Sequence, residues 1–174
     1  RLSLGLYTAD LVNSFTEERL ENQPIFQLLL DTLDWLSAAA GTPRQKNQDA
    51  AIHHFELHLL EYLGYQPQLQ SCVHCQCTLE PVTNFFSPKT GGIVCPRCRE
   101  HGAWVKPITV NALKCLRLFQ ASHREDACRV RLNNELSLEL KLHIQGYMRH
   151  LLEKDIKSAT WMDRLDSQGV PLQG

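Results

Sequence analysis

The chain has 174 residues, 43% hydrophobic and 21% charged, with a formal net charge of −1. This balance is globular and argues against intrinsic disorder, low-complexity tracts and acidic or basic tails. No apolar run approaches the roughly 20 residues that cross a bilayer, and no signal-peptide pattern opens the chain, so the expectation is a cytoplasmic protein with no membrane partner.

Arg1 stands first, and Leu2 to Leu6 enter a helical pattern at once, so an upstream segment is expected. The charge is uneven. Residues 1–88 hold 4 Lys and Arg against 10 Asp and Glu, and residues 89–174 hold 14 against 9. A basic second half can carry a phosphate-facing surface even when the whole chain is near neutral.

Leu6, Leu11 and Phe15 mark a first helix. Pro24, suited to a first turn, opens a second that carries Phe26, Leu29, Leu30, Leu33 and Leu36 at helical spacing and stops at Gly41-Thr42-Pro43. A third helix, predicted over 48–63, carries Ile52, Phe55, Leu59, Leu60 and Leu63 and ends at Gly64-Tyr65-Gln66-Pro67. His53, His54, Glu56 and His58 lie on this helix. Only His54 and His58 share a face at i,i+4, and the group is read as solvent-facing polar residues beside Phe55.

Beyond a cysteine-rich stretch, Thr109 is a plausible N-cap for a helix with Leu113, Leu116 and Phe119 inward. Leu136 to Ile144 alternates as a strand would. The sequel at Leu140, Ile144, Tyr147, Met148, Leu151 and Leu152 has spacings of three and four, which favours one long helix over 134–155. Residues 166–174 are expected to form a disordered tail.

The chemistry is concentrated in Cys72-Val73-His74-Cys75 and Cys95-Pro96-Arg97-Cys98, two CxxC pairs separated by 19 residues. Two thiolates three positions apart on a tight turn reach one metal ion at about 2.3 Å, and a second such turn completes a tetrahedron. Phe85-Phe86-Ser87 and Ile93-Val94 flank a Gly-rich turn and read as a short β-hairpin that returns the second pair to the first. The expected cofactor is one structural Zn2+ held by Cys72, Cys75, Cys95 and Cys98. His74 is read as a helper, Cys77 as unliganded, and Cys115 and Cys128 as small buried or half-buried residues.

Four thiolates leave no open position for water or substrate, so no catalytic role is expected. A rival is zinc-dependent deamination, which pairs H-x-E with P-C-x-x-C. His54-Phe55-Glu56 supplies the first part. However, Val94 precedes Cys95 where proline belongs, and Cys72 and Cys75 would be left unexplained.

The run Phe55-Glu56-Leu57-His58-Leu59-Leu60-Glu61-Tyr62-Leu63-Gly64-Tyr65-Gln66-Pro67, then the Cys72 and Cys75 pair, Phe86-Ser87, Gly91-Gly92 and the Cys95 and Cys98 pair, resembles the RecO family of DNA repair proteins. Tyr7-Thr8-Ala9-Asp10-Leu11 is similar to that family's Y-x-x-E-L segment, and Ile156-Lys157-Ser158 to its L-K-S. The resemblance implies a mainly α, bundle-like helical domain with an inserted four-cysteine zinc ribbon, and it implies that the family's N-terminal OB-fold is not present here. Its division would be 1–67 and 105–165 for the helical domain, 68–104 for the ribbon and 166–174 for the tail.

The resemblance implies a non-enzymatic recombination mediator that binds single- and double-stranded DNA and anneals strands. It would work with RecR and single-strand-binding protein, and indirectly with RecA, in a nucleoid-associated setting. Candidate phosphate contacts are Lys89, Arg97, Arg99 and Lys106 on or near the ribbon, and Lys114, Arg117, Arg124, Arg129 and Arg131 on the helical part. The other reading is a protein-interaction scaffold whose ribbon never touches DNA.

Overall fold

The computed structural model describes residues 2–16, 22–38, 48–101 and 104–167. The elements are α1 (Leu2–Phe15), α2 (Gln23–Ala38), α3 (Gln48–Tyr62), β1 (Asn84–Ser87), β2 (Gly92–Val94), a 3-10 helix over Pro96–His101, β3 (Lys106–Ile108), α4 (Val110–Ala121), the one-turn α5 (Arg124–Ala127) and α6 (Asn134–Ser167). The mainly α fold with a small ribbon is as expected. The Gly41-Thr42-Pro43 stop and residues 168–174 lie outside the described residues.

Caps written in the sequence set several helix ends. The Asn22 side chain accepts from the Ile25 N–H, Asn133 from Leu136, and Thr109 from Ala112, each satisfying an N–H that the first turn leaves unpaired. At the end of α3 the Gly64 N–H donates to the Glu61 carbonyl and the Tyr65 N–H to that of Leu60. With Gly64 at φ 80 this is a Schellman turn, which explains the glycine in the Leu-Gly-Tyr run.

Helix α3 is the axis of the helical domain and packs against α1, α2, α4, α5 and α6. Every residue from Ala50 to Leu60 except His58 is buried. This overturns the reading of His53, His54 and Glu56 as solvent-facing. Sequence periodicity assigns one apolar stripe and gives the remainder to water, whereas a helix enclosed by five neighbours has no remainder.

Helix α2 is also turned from its predicted stripe. Ile25, Leu28, Thr32, Trp35 and Leu36 are inward, while Phe26 and Leu30 are exposed. In α6 the alternation over Leu136 to Ile144 is helical after all. Leu138 and Leu142 face outward, and the helix runs past the predicted residue 155. Leu113, Leu116 and Phe119 are inward on α4.

The predicted hairpin is one part of a three-stranded antiparallel sheet, ordered β2-β1-β3. Phe85 pairs with Val94 on one side and Pro107 on the other, and Phe86 with Ile93 and Lys106. β3 was missed because Lys106-Pro107-Ile108 has too few apolar residues and includes a proline, which suits only an edge strand.

The ribbon does not stand apart from the helices. Phe86 packs on His143 and Tyr147 of α6 with ring centroids 5.6 and 5.8 Å away. The Tyr147 hydroxyl donates to the Tyr65 carbonyl at 3.1 Å, and Arg117 Nε to that of Leu69 at 2.8 Å. One continuous apolar cluster therefore joins Leu69, Phe86 and Ile93 of the ribbon, and Ile108 of β3, to Phe55, Leu116 and Leu140 of the helices.

Candidate metal centre and basic surface

The first knuckle is stitched along β2. Gln68 N–H donates to the Gly91 carbonyl, Ile93 N–H to that of Gln68, and Val73 N–H to that of Ile93, all at 2.9 Å. Close approach of these two backbones explains the Gly-Gly pair. A Cβ on Gly92 would stand 2.6 Å from both Gln68 O and Val73 Cγ1, and one on Gly91, at φ 67, would stand 2.8 Å from the Tyr147 hydroxyl.

The stitching brings the sulfurs of Cys72, Cys75, Cys95 and Cys98 within 4.8 Å of one another. A tetrahedral ion bonded to four thiolates at about 2.3 Å requires sulfurs about 3.8 Å apart. Cys75 and Cys95 stand at 3.8 Å. The four cysteines therefore fit a single metal ion, and they could hold one.

Backbone donors are already aimed at this centre. The Cys95 N–H donates to the Cys72 sulfur at 3.4 Å. Burial pushes the Cys72 thiol up, but N–H groups of Cys75, Cys95 and His74 outweigh it and hold the thiol at about 6. Cys98 is pushed up to about 12, first by sharing a hydrogen bond with Cys75 and then by burial. Four adjacent thiols cannot all ionise unaided, and a divalent cation removes that conflict.

His74 contributes its backbone N–H, with its ring exposed. Cys77 stands outside the four-sulfur set, with its Sγ 3.3 Å from that of Cys75. Cys115 and Cys128 are half-buried. His54 is also apart from the centre, because its Nε2 meets the Ser122 carbonyl at 3.2 Å. The H-x-E pair is thus not assembled with the cysteines as deaminase chemistry requires.

The candidate cations fall into separate groups. Arg97 and Arg99 lie on the 3-10 helix, where Arg97 reaches toward Cys77 and Arg99 stacks 4.8 Å above the centroid of Phe85. Lys106 is on β3, and Lys89 in the β1–β2 turn; both are exposed. On α4 Lys114 is exposed, while Arg117 has its Nε engaged by Leu69. The carboxylate of Asp126 lies 3.5 Å from Arg129, and Arg131 is exposed.

Two features of the helical part escaped the sequence. One is a cleft of about 440 Å³ between α2, α3 and the α4–α5 junction, lined by Leu28, Trp35, His54, His58, Tyr62 and Arg124 among others. His58 Nε2 also meets the Ser122 carbonyl, at 3.3 Å, and the two imidazoles lie 4.2 Å apart. Burial, then the neighbouring His58, holds His54 down at about 4, so it is neutral. The i,i+4 spacing of His54 and His58 was the available signal.

The second feature is a buried polar bridge. Glu56 accepts from the Tyr7 hydroxyl at 2.5 Å and meets His53 Nδ1 at 3.0 Å, while Gln145 Nε2 donates to the same hydroxyl at 3.0 Å. The Glu56 carboxylate thereby ties α1 to α3, and the Tyr7 hydroxyl ties α1 to α6. Burial first, then the charge of Glu56, raises the Tyr7 hydroxyl well above its ordinary value, so it stays a donor.

Among the described residues no helix is long and apolar enough to cross a membrane. Residues 1–160 match the family described as Recombination protein O C terminal. The chain is 39% identical over 163 residues to a DNA repair protein RecO from Dehalococcoides mccartyi, covering 94% of this chain and 62% of that one. It is 37% identical over 163 residues to one from a Roseiflexus species, covering 94% and 56%, and 31% identical over 169 residues to one from Halalkalibacterium halodurans, covering 97% and 63%. It thus spans less than two thirds of the length of these relatives. With a single family matched over almost all of its residues, and with relatives of one name across its length, the chain belongs to the RecO family of DNA repair proteins.

Proposed function

We propose that the chain is the partner- and DNA-binding helical part of a recombination mediator. In this reading the larger protein binds single- and double-stranded DNA, anneals strands, and works with RecR and single-strand-binding protein to help load the recombinase RecA. The observation that carries the reading is the family match over residues 1–160. The work is binding, without covalent chemistry: Lys and Arg neutralise phosphates, release counterions and so bring strands together. Lys89, Arg97 and Arg99 offer that charge from the ribbon, Lys106 from just beyond it, and Lys114, Arg117, Arg124, Arg129 and Arg131 from the helical face.

The metal of this reading is one Zn2+ held by Cys72, Cys75, Cys95 and Cys98. Its contribution is structural: it fixes the two knuckles of a ribbon module, residues 68–104, set into a helical domain formed by 1–67 and 105–165. The buried Cys72 and Cys95 lie beside the apolar cluster shared by sheet and helices, so metal loss should loosen the ribbon first. Zinc well below one equivalent in purified protein, or unchanged metal content in Cys72→Ser with Cys95→Ser, refutes the assignment.

DNA binding is tested by a mobility shift over a salt series. Phosphate contacts predict that log affinity falls linearly with log salt, by roughly one unit of slope per phosphate contacted. The second reading, a protein-interaction scaffold, is favoured by the cleft, where Trp35, Leu28 and Tyr62 lie near Arg124 and suit an aromatic side chain with a carboxylate. No binding to either form of DNA at about 50 mM salt, with zinc bound, leaves only the scaffold.

A further inference from the structure

Four sulfurs complete the cage, yet five cysteines stand in the ribbon. The fifth is Cys77, and its Sγ is 3.3 Å from that of Cys75. This is closer than the 3.8 Å between the ligand sulfurs of Cys75 and Cys95. The backbone causes the approach. Gln76, the single residue between the two, is left-handed at φ 59. Its N–H donates to the Cys72 carbonyl at 2.9 Å, and the Cys72 N–H donates to the Cys77 carbonyl at 3.0 Å. The chain therefore reverses at Gln76 and presents both side chains together.

A disulfide requires sulfurs about 2.05 Å apart, roughly 1.2 Å nearer than they stand, which is within the reach of side-chain rotation at two turn residues separated by one. Access is also in place. Cys75 is exposed and Cys77 half-buried, whereas Cys72 and Cys95 are buried. Arg97 reaches toward Cys77 from the second knuckle and places a positive charge beside its sulfur. Cys77 is outside the four-sulfur set, so its lone pairs remain available to an oxidant.

The geometry points to Cys75 and Cys77 as an oxidisable thiol pair through which a peroxide discharges the metal from the ribbon. This inference rests on the zinc reading above. Cys77 sulfur attacks one peroxide oxygen: an S–O bond forms, the O–O bond breaks, and the thiol proton leaves with the other oxygen as water. Cys75, departing from the metal as a thiolate, then attacks the Cys77 sulfur. The S–S bond forms, the S–O bond breaks, and the hydroxide released is protonated by the buffer acid and leaves as the second water. Two sulfurs lose one electron each and one peroxide is reduced. The ion keeps three protein ligands and passes to a chelator, and a dithiol with added zinc reverses the change.

The test follows zinc release into a chromophoric chelator after hydrogen peroxide is added to the purified chain, with tryptic mapping of the first disulfide formed. Wild type should release zinc with a Cys75–Cys77 bond as the first product. Cys77→Ser and Cys77→Ala, which retain all four ligands and one equivalent of zinc beforehand, should release it at least about fivefold more slowly. Release from both variants at the wild-type rate, or a first disulfide between other cysteines, overturns the inference. Absence of zinc before oxidation refutes the metal reading instead, and the disulfide map still decides the thiol pair.

Discussion

Replacing Glu56 with alanine tests the buried bridge directly. In the native fold its two carboxylate oxygens serve the Tyr7 hydroxyl and His53 Nδ1, and the residue is fully buried. Alanine removes both acceptors. The Tyr7 proton then has no partner, because Gln145 approaches that hydroxyl as a donor. His53 fares worse, since its Nε2 already has no hydrogen-bond partner among the described residues. Each orphaned buried group costs about 1–3 kcal/mol, and the carboxylate leaves a small void that collapses only in part. The expected loss is roughly 3–5 kcal/mol, which for a domain of this size lowers Tm by about 10 °C. Urea denaturation at saturating zinc should show this as a lower midpoint with an unchanged slope. Glu56→Gln should lose about 1–2 kcal/mol, because its carbonyl still serves Tyr7 while its amide meets His53. Tyr7→Phe combined with Glu56→Ala should be less destabilising than the sum of the two by at least about 1 kcal/mol. A Glu56→Ala cost below about 1 kcal/mol, or strict additivity with Tyr7→Phe, would refute the bridge as a stability element.

Gly92→Ala should cost at least about 2 kcal/mol and weaken zinc retention, because the added Cβ meets the Gln68 carbonyl at 2.6 Å where both backbones are hydrogen-bonded. Denaturation and chelator competition measure both effects, and a neutral variant would show that the knuckle can move. Gln76→Gly should gain up to about 1 kcal/mol, since a left-handed non-glycine residue costs roughly 1–2 kcal/mol and glycine returns part of that as chain entropy; a lower denaturation midpoint would contradict this. The pH dependence follows from His54, held at about 4 by burial and by His58, and from His143, which burial also lowers. Below about pH 6.5 the unfolded chain binds protons there that the native state refuses, so stability falls from pH 6.5 toward 4 and these groups contribute no slope above that window. His54→Gln should flatten that acid limb, and an unchanged limb would place the dependence elsewhere.

Local chemistry was legible where it is carried by covalent neighbours. Cys72, Cys75, Cys95 and Cys98 declare themselves by spacing, Thr109 by capping, and the Phe85–Val94 hairpin by two short runs flanking the Gly91-Gly92 turn. The surroundings of a helix were not legible. His53, His54 and Glu56 read as the wet face of α3 because their polarity marks a surface only when some face is left uncovered. The same limitation turned α2, where Phe26 and Leu30 were read as part of the apolar stripe but are exposed, and Ile25 and Leu28 are inward instead. β3 escaped notice because a three-residue edge strand owes its existence to pairing with β1.

By itself, therefore, the sequence determined the mainly helical class, the four cysteines that cluster and the resemblance to RecO, since each depends on residue types at short or regular separations. Tertiary structure alone decided that the ribbon shares a core with α6 through Phe86, and that Tyr7 of α1 joins the buried Glu56 carboxylate of α3 to Gln145 of α6. It also decided that His54 and His58 converge on the carbonyl of Ser122 at a cleft. Those pairings join residues 49 to 138 positions apart, and only the packing of the helices sets such distances.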